Sequence, residues 1–71
     1  MKLYTQDRER IIEMPREIWL ASHSDTYGIY STAYISSKLA EYESEERAKL
    51  VVAEIFDYYR NGKNSYVLPK K

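Results

Sequence analysis

A single amphipathic helix near the C-terminal end is the feature that most constrains the fold of this chain. Ser44 is a good N-cap residue, and two glutamates follow it where negative charge favours the positive end of a helix. Apolar residues then recur at helical spacing, at Ala48, Val51, Val52, Ile55 and Tyr59. An Asn-Gly pair at 61–62 is a stop signal. The pattern predicts a helix over about residues 45–61 with one apolar stripe.

The residues before this helix are arranged as strands and turns. The predicted strands cover residues 2–5, 10–14, 17–22, 26–36 and 39–43. Polar turns are predicted at residues 23–25 and 36–38, and Gly28 marks a bulge or a close approach. After the helix, the apolar residues 65–68 add an edge strand or dock on the helix.

These elements predict an α+β fold in one domain, residues 1–71. The predicted architecture is an antiparallel β-meander of about three to five strands packed on one C-terminal α-helix. Strands occupy about residues 2–43, the helix about 45–61 and a final segment 62–71, with a short last strand as one option.

The chain is small for a self-sufficient core. Domains below about 70–80 residues usually need disulfides, a metal or a partner subunit. Cysteine is absent, which excludes disulfides and thiolate metal sites. His23 is the one histidine, so the chain lacks the ligands for a histidine-based metal site. We therefore expect no cofactor or metal, and we expect a homo-oligomer, most simply a dimer.

The charge balance and hydropathy argue against two classes of partner. The net charge is zero, from 11 basic and 11 acidic residues, which disfavours broad nucleic-acid or anionic-membrane binding. No apolar run approaches the ~20 residues of a membrane span, and the opening MKLYTQDRER has no signal segment. We expect a cytoplasmic protein without a membrane partner.

Two polar clusters resemble sites in their residue types. Residues 22–25, SHSD, hold the groups of a hydrolytic triad, but neighbours in an extended chain diverge, and these residue types are typical of a turn. The acidic cluster lies where glutamates complement the helix dipole and lacks the pattern of a calcium loop; its members are Glu41, Glu43, Glu45 and Glu46. We predict no catalytic residues and no enzymatic activity.

The aromatic residues give the one candidate surface. One helix covers one face of the sheet, and the predicted strands place large side chains on the other. The candidate interaction surface consists of Trp19, Tyr30, Thr32 and Tyr34. Tyrosine is enriched at protein interfaces, so self-association or protein binding is favoured. The alternative is nucleotide or single-stranded nucleic-acid binding, with bases stacked on the tyrosines beside the cations Arg10, Arg16 or Lys38.

Two short motifs give a family resemblance. The first contains Gln6, Asp7, Ile12, Met14 and Pro15, and the second contains Tyr42, Ser44, Glu45, Glu46 and Ala48. They resemble small uncharacterised proteins of phages, prophages and integrative elements of low-GC Gram-positive bacteria, whose opening reads SQDG. This chain has Thr5 and Arg8 where that opening has serine and glycine.

The resemblance covers most of the chain and supplies no functional residues. It implies a mobile-element accessory protein that acts by binding host or phage components and has no established catalysis. It also raises a third option, an anti-defence factor that sequesters a small signalling ligand or blocks a host enzyme.

Overall fold

The computed structural model of the chain describes residues 1–32 and 37–71. Its elements, in chain order, are β1 (Lys2–Tyr4), β2 (Ile11–Glu13), β3 (Ile18–His23), β4 (Thr26–Ser31), β5 (Ser37–Tyr42), α1 (Glu45–Arg60) and β6 (Ser65–Val67). They form two three-stranded sheets, β2-β1-β6 and β3-β4-β5, and the C-terminal helix packs on them. The predicted α+β class, with a meander, one helix and a short final strand, is confirmed.

The first sheet brings the two ends of the chain together. β1 lies between an antiparallel neighbour, β2, and a parallel neighbour, β6. Leu3 is the central residue of β1 and stands opposite Ile12 on one side and Tyr66 on the other. Tyr66 also meets the helix, since its ring makes an edge contact with Tyr58 at 4.9 Å between centroids. Both alternatives for residues 65–68, an edge strand and docking on the helix, are therefore realised at once.

The second sheet is the predicted meander, with corrections at its turns. His23 pairs with Thr26, so the first turn is shorter than predicted. The second predicted turn is wrong at Ser37 and Lys38, because both residues belong to β5. Serine and lysine have low strand propensity, but cross-strand pairing with β4 overrides it here. Residues 33–36, part of the predicted fourth strand, lie outside the described residues.

The core lies between the inner faces of both sheets and the helix. Its buried apolar residues are Leu3, Ile12, Ile29, Leu39, Ala40, Tyr42, Ala48, Val51, Ile55, Tyr66 and Leu68. Strand alternation is clear in β2, where Ile11 is 66% exposed and Ile12 is 8% exposed. The buried stripe of the helix is shorter than predicted, because Tyr59 at its C-terminal end is 56% exposed. The core is therefore small, and several large apolar side chains remain outside it.

The helix has the ends that its sequence predicts. Ser44 adopts an extended backbone and its side chain accepts a hydrogen bond from the Arg47 backbone N–H. Asn61 caps the other end, and Gly62 follows with a φ of 72°. The glutamates of the first turn thus have a structural role at the positive end of the helix dipole.

A glutamine side chain joins the two sheets. The Gln6 backbone N–H donates to the Leu39 carbonyl at 3.0 Å. Its side-chain amide pairs with the Glu41 backbone, donating to the carbonyl at 3.0 Å and accepting from the N–H at 2.8 Å. The same amide nitrogen reaches the carbonyls of Pro69 and Lys70 at 3.2 and 3.1 Å. Gln6 therefore satisfies backbone groups along the outer edge of β5, as a neighbouring strand would. It also links the C-terminal residues Pro69 and Lys70 to that edge.

Candidate functional site

The candidate site is the face of the β3-β4-β5 sheet that points away from the helix, hereafter the outer face. Strand alternation and register assign to it Trp19, Ala21 and His23 of β3, Thr26, Gly28 and Tyr30 of β4, and Lys38 and Glu41 of β5. The helix packs on the opposite face, where Ile29 and Ala40 are buried. Of the described elements, none lies over the outer face.

An aromatic pair dominates this face. Trp19 and Tyr30 are directly opposite each other in the β3–β4 register. Their rings stack with centroids 6.4 Å apart and planes inclined by 22°. Such cross-strand aromatic pairs stabilise a sheet by up to about 1 kcal/mol. Trp19 nevertheless remains 41% exposed, so a large apolar surface is left in contact with water.

Gly28 is the reason that the tyrosine ring can lie flat on the sheet. A Cβ atom at this position would be 2.7 Å from Cε2 of Tyr30 and 3.0 Å from its phenol oxygen. The ring of Tyr30 therefore occupies the space above the glycine. The bulge in the β4–β5 pairing lies between Ile29 and Tyr30, directly beside it. Of the two alternatives predicted for Gly28, the close approach is present, whereas Gly28 itself pairs regularly with Ala21 and Glu41 and the bulge lies one residue further along β4.

The charges on the outer face are already paired with each other. Lys38, which stands opposite Tyr30, lies 3.5 Å from a carboxylate oxygen of Glu41. The Thr26 hydroxyl donates to the same carboxylate at 2.8 Å. This hydrogen bond, with the Lys38 charge as a smaller cause, lowers the pKa of Glu41 below its usual range. The face therefore offers two stacked rings beside a neutralised cation.

The other predicted cations do not extend this face into a basic groove. The Arg10 guanidinium donates to the Ser37 hydroxyl at 2.8 Å and to the Lys38 carbonyl at 3.3 Å, which engages it at the start of β5. Arg16 is exposed in the connection that precedes β3. A base-binding platform normally combines rings with a positively charged channel, and the arrangement of the described cations supplies little of one.

The structure brings together part of the predicted surface. Trp19 and Tyr30 are in contact, as the alternation predicts. Thr32 lies just beyond β4 and is exposed; its hydroxyl accepts from the Glu17 backbone N–H at 3.3 Å, and its own N–H donates to the Glu17 carbonyl at 3.2 Å. Tyr34 lies outside the described residues. The Lys38–Glu41 pair is the part that sequence reasoning missed. Simple alternation along β5 would place residues 38 and 41 on opposite faces, and the bulge brings both to the outer face.

The serine–histidine–aspartate segment is divided between a strand and a turn. Ser22 and His23 end β3, while Ser24 and Asp25 form the hairpin connection, with Ser24 at a φ of 57°. Within residues 1–32 and 37–71, no group of three or more His, Cys, Asp or Glu side chains is placed to hold a metal ion. In the same residues, no helix has the length and apolar character needed to cross a bilayer.

Comparisons of this chain with protein-family models, with curated proteins and with solved structures gave no match.

Proposed function

We propose that this protein is a small non-enzymatic interaction module that self-associates through the outer face. The observation that carries the proposal is the stacked Trp19–Tyr30 pair, in which Trp19 is exposed and Tyr30 partly buried, on a sheet face that no described element covers. Tryptophan and tyrosine supply large contact areas with little loss of side-chain entropy, and they dominate the energetics of many interfaces. Thr32 extends the proposed contact surface toward the end of β4.

The size of the chain supports the same proposal. Its core contains 11 buried apolar residues in the described part, which is little for independent stability. Removing apolar surface from water contributes about 25 cal/mol per Å², and association costs offset part of that gain. A second copy of the chain is available as a partner wherever the protein itself is present. Self-association would therefore supply the burial that the monomer lacks.

The biological setting of the proposal rests on the two sequence motifs. A mobile-element accessory protein, encoded by a phage, prophage or integrative element, is the class that they resemble. Such a protein would act by contact with host or phage components rather than by catalysis. In this setting the outer face is the surface that would meet the partner.

Sedimentation equilibrium between low micromolar and several hundred micromolar protein tests the proposal. The wild type is expected to show a dimer whose population rises with concentration. Trp19→Ala and Tyr30→Ala are expected to weaken it, while Leu50→Ala, at an exposed helix position away from the outer face, leaves it unchanged. A wild type that stays strictly monomeric contradicts the proposal. Quenching of Trp19 fluorescence by oligonucleotides, weakened by salt, would instead support the nucleic-acid alternative.

A further inference from the structure

The β3 strand is an open edge of its sheet. Of the described elements, β3 contacts β4 on one side and the helix beneath, and no strand lies on its other side. The Thr32 N–H donates to the Glu17 carbonyl, which makes that pair hydrogen-bonded. Antiparallel pairing alternates, so the odd-numbered residues of β3 bond to β4. The backbone N–H and C=O groups of Ile18, Leu20 and Ser22 therefore point outward.

The other sheet edges in the described residues are protected, whereas β3 is not. β2 and β6 have three residues each, and β6 is followed closely by Pro69. The outer edge of β5 is covered by the backbone and side chain of Gln6. β3 has six residues, Ile18–His23, with no lysine, proline or bulge among them. Proteins normally protect a strand of that length and hydrophobicity from pairing with another chain.

We infer that the β3 edge pairs antiparallel with the β3 edge of a second copy, about a two-fold axis at Leu20. This inference rests on the proposed self-association and places the first contact between two copies at the β3 edge of the outer face, so that the two outer faces join into one continuous aromatic surface. The axis is perpendicular to the sheet, so the two three-stranded sheets become one continuous sheet of six strands. Both helices then lie on one face of that sheet, and both Trp19–Tyr30 pairs lie on the other.

The sequence of β3 is complementary to itself in this register. Leu20 stands opposite Leu20 of the partner copy, and the outward backbone groups of Ile18 and Ser22 bond to each other across the axis. On the outer face, the large Trp19 faces the small Ala21 of the partner copy. Glu17 faces His23 of the partner copy at each end, which places a carboxylate opposite an imidazole that can donate a hydrogen bond to it. Size and hydrogen bonding therefore both select a second copy as the occupant of this edge.

The helix offers further contact near the same axis. Glu54 and Tyr58 lie on the flank that meets Tyr66 of β6. At 100° per residue, Val52 and Phe56 lie on the opposite flank, on the β3 side, and Phe56 is 60% exposed. Pairing of the two β3 edges brings these two flanks toward each other beneath the sheet. Apolar surface would thus be buried on the helix side as well as on the outer face.

A proline at Ser22 tests the edge pairing. Proline removes the outward N–H and leaves the bonds to β4 in place, because Ser22 does not bond to β4. Ser22→Pro is expected to weaken dimerisation about tenfold or more, since the bond is lost twice across the axis. Ser22→Ala keeps the N–H and is the matched control, with wild-type affinity expected. Circular dichroism and thermal unfolding establish that both variants fold.

Charge exchange tests the register. His23→Glu is expected to weaken the dimer several-fold at low salt by placing a carboxylate opposite the partner copy's Glu17. Glu17→Lys combined with His23→Glu restores opposite charges at both ends and is expected to recover the affinity. Loss that the double exchange fails to recover overturns the Leu20-centred register.

Amide exchange on the unmodified protein provides a test that no substitution can disturb. The amides of Leu20 and Ser22 are expected to become protected as the concentration rises, while the first-turn amide of Glu46 stays unprotected throughout. A dimer that forms without this protection, and that Trp19→Ala weakens but Ser22→Pro does not, overturns the edge pairing and leaves face-to-face self-association standing. A wild type that is monomeric at several hundred micromolar overturns the proposed function itself.

Discussion

Arg8 and Ser24 hold positive φ angles, of 64° and 57°, which glycine adopts without strain. Arg8 has compensating contacts. Its guanidinium donates to the carbonyls of Leu68 at 2.7 Å and Thr5 at 2.9 Å, and it lies 5.2 Å from the centre of the Tyr4 ring. The side-chain bonds of Arg8 therefore offset the cost of its positive φ, and they hold Leu68 near the C-terminal end of the chain.

Ser24 is exposed in the β3–β4 hairpin, so a glycine at this position can remove the cost of the positive φ without loss of packing. We predict that Ser24→Gly raises the free energy of unfolding by about 0.5–1 kcal/mol. The neighbouring Asp25 has no positive φ. Asp25→Gly is therefore the matched control, and it is expected to lower stability by a few tenths of a kcal/mol or more through the entropy of the unfolded chain. Urea denaturation measures both, and equal effects of the two substitutions contradict the prediction.

Gly28 and Tyr30 form a coupled pair on the outer face. Gly28→Ala places a methyl group in the space of the Tyr30 ring, and we predict a loss of about 1 kcal/mol with displacement of the ring from Trp19. In a Tyr30→Ala background the same change is expected to be neutral or slightly stabilising, because alanine suits a strand interior better than glycine. A double-mutant cycle by urea denaturation, followed by Trp19 fluorescence, measures the coupling. Additive effects would show that the ring does not depend on the glycine.

At the scale of elements, the Gln6 side chain replaces a strand that β5 lacks. Gln6→Met keeps the length of the side chain and removes both bonds to the Glu41 backbone, and we predict a loss of about 1–3 kcal/mol. Gln6→Glu is the graded control, because a carboxylate still accepts from the Glu41 N–H but cannot donate to its carbonyl. Urea denaturation gives the energies, and faster amide exchange at Glu41 localises the effect. Wild-type exchange in Gln6→Met would contradict this role.

The elements that the sequence predicts well are those whose causes are local. Ser44 bonds within its own helix turn, and the alternation of Ile11 and Ile12 follows from the geometry of one strand. The parallel pairing of β1 with β6 depends on residues from opposite ends of the chain, which no local pattern records. Likewise, the aromatic pair follows from alternation, whereas Lys38 reaches the outer face through a bulge that changes the register.

At the scale of the whole molecule, two buried tyrosine hydroxyls hold the C-terminal segment, residues 62–71, against the rest of the chain. The Tyr42 hydroxyl donates to the Pro69 carbonyl at 2.6 Å, and the Tyr66 hydroxyl donates to a carboxylate oxygen of Glu54 at 2.6 Å. Burial raises the pKa of Tyr42 to about 12. Burial, together with the bond to Glu54, also raises the pKa of Tyr66 above its ordinary value. Both phenols are therefore protonated in the folded protein under conditions where an unfolded chain releases their protons.

Alkaline stability follows from these two groups. Because the folded pKa is the higher one, their stabilising effect is complete below pH 10, the ordinary tyrosine value, and is lost as pH rises toward about 12 at Tyr42. We predict that stability falls above pH 10, by an amount on the order of 2 kcal/mol from Tyr42. The double variant Tyr42→Phe and Tyr66→Phe starts less stable, because it loses two hydrogen bonds, but its decline between pH 10 and 12 is expected to be shallower. Tyr59→Phe, at an exposed position, is the matched control and keeps the wild-type slope. Urea denaturation across this pH range measures the slopes, and the same slope in all three proteins would show that the buried phenols do not govern alkaline unfolding.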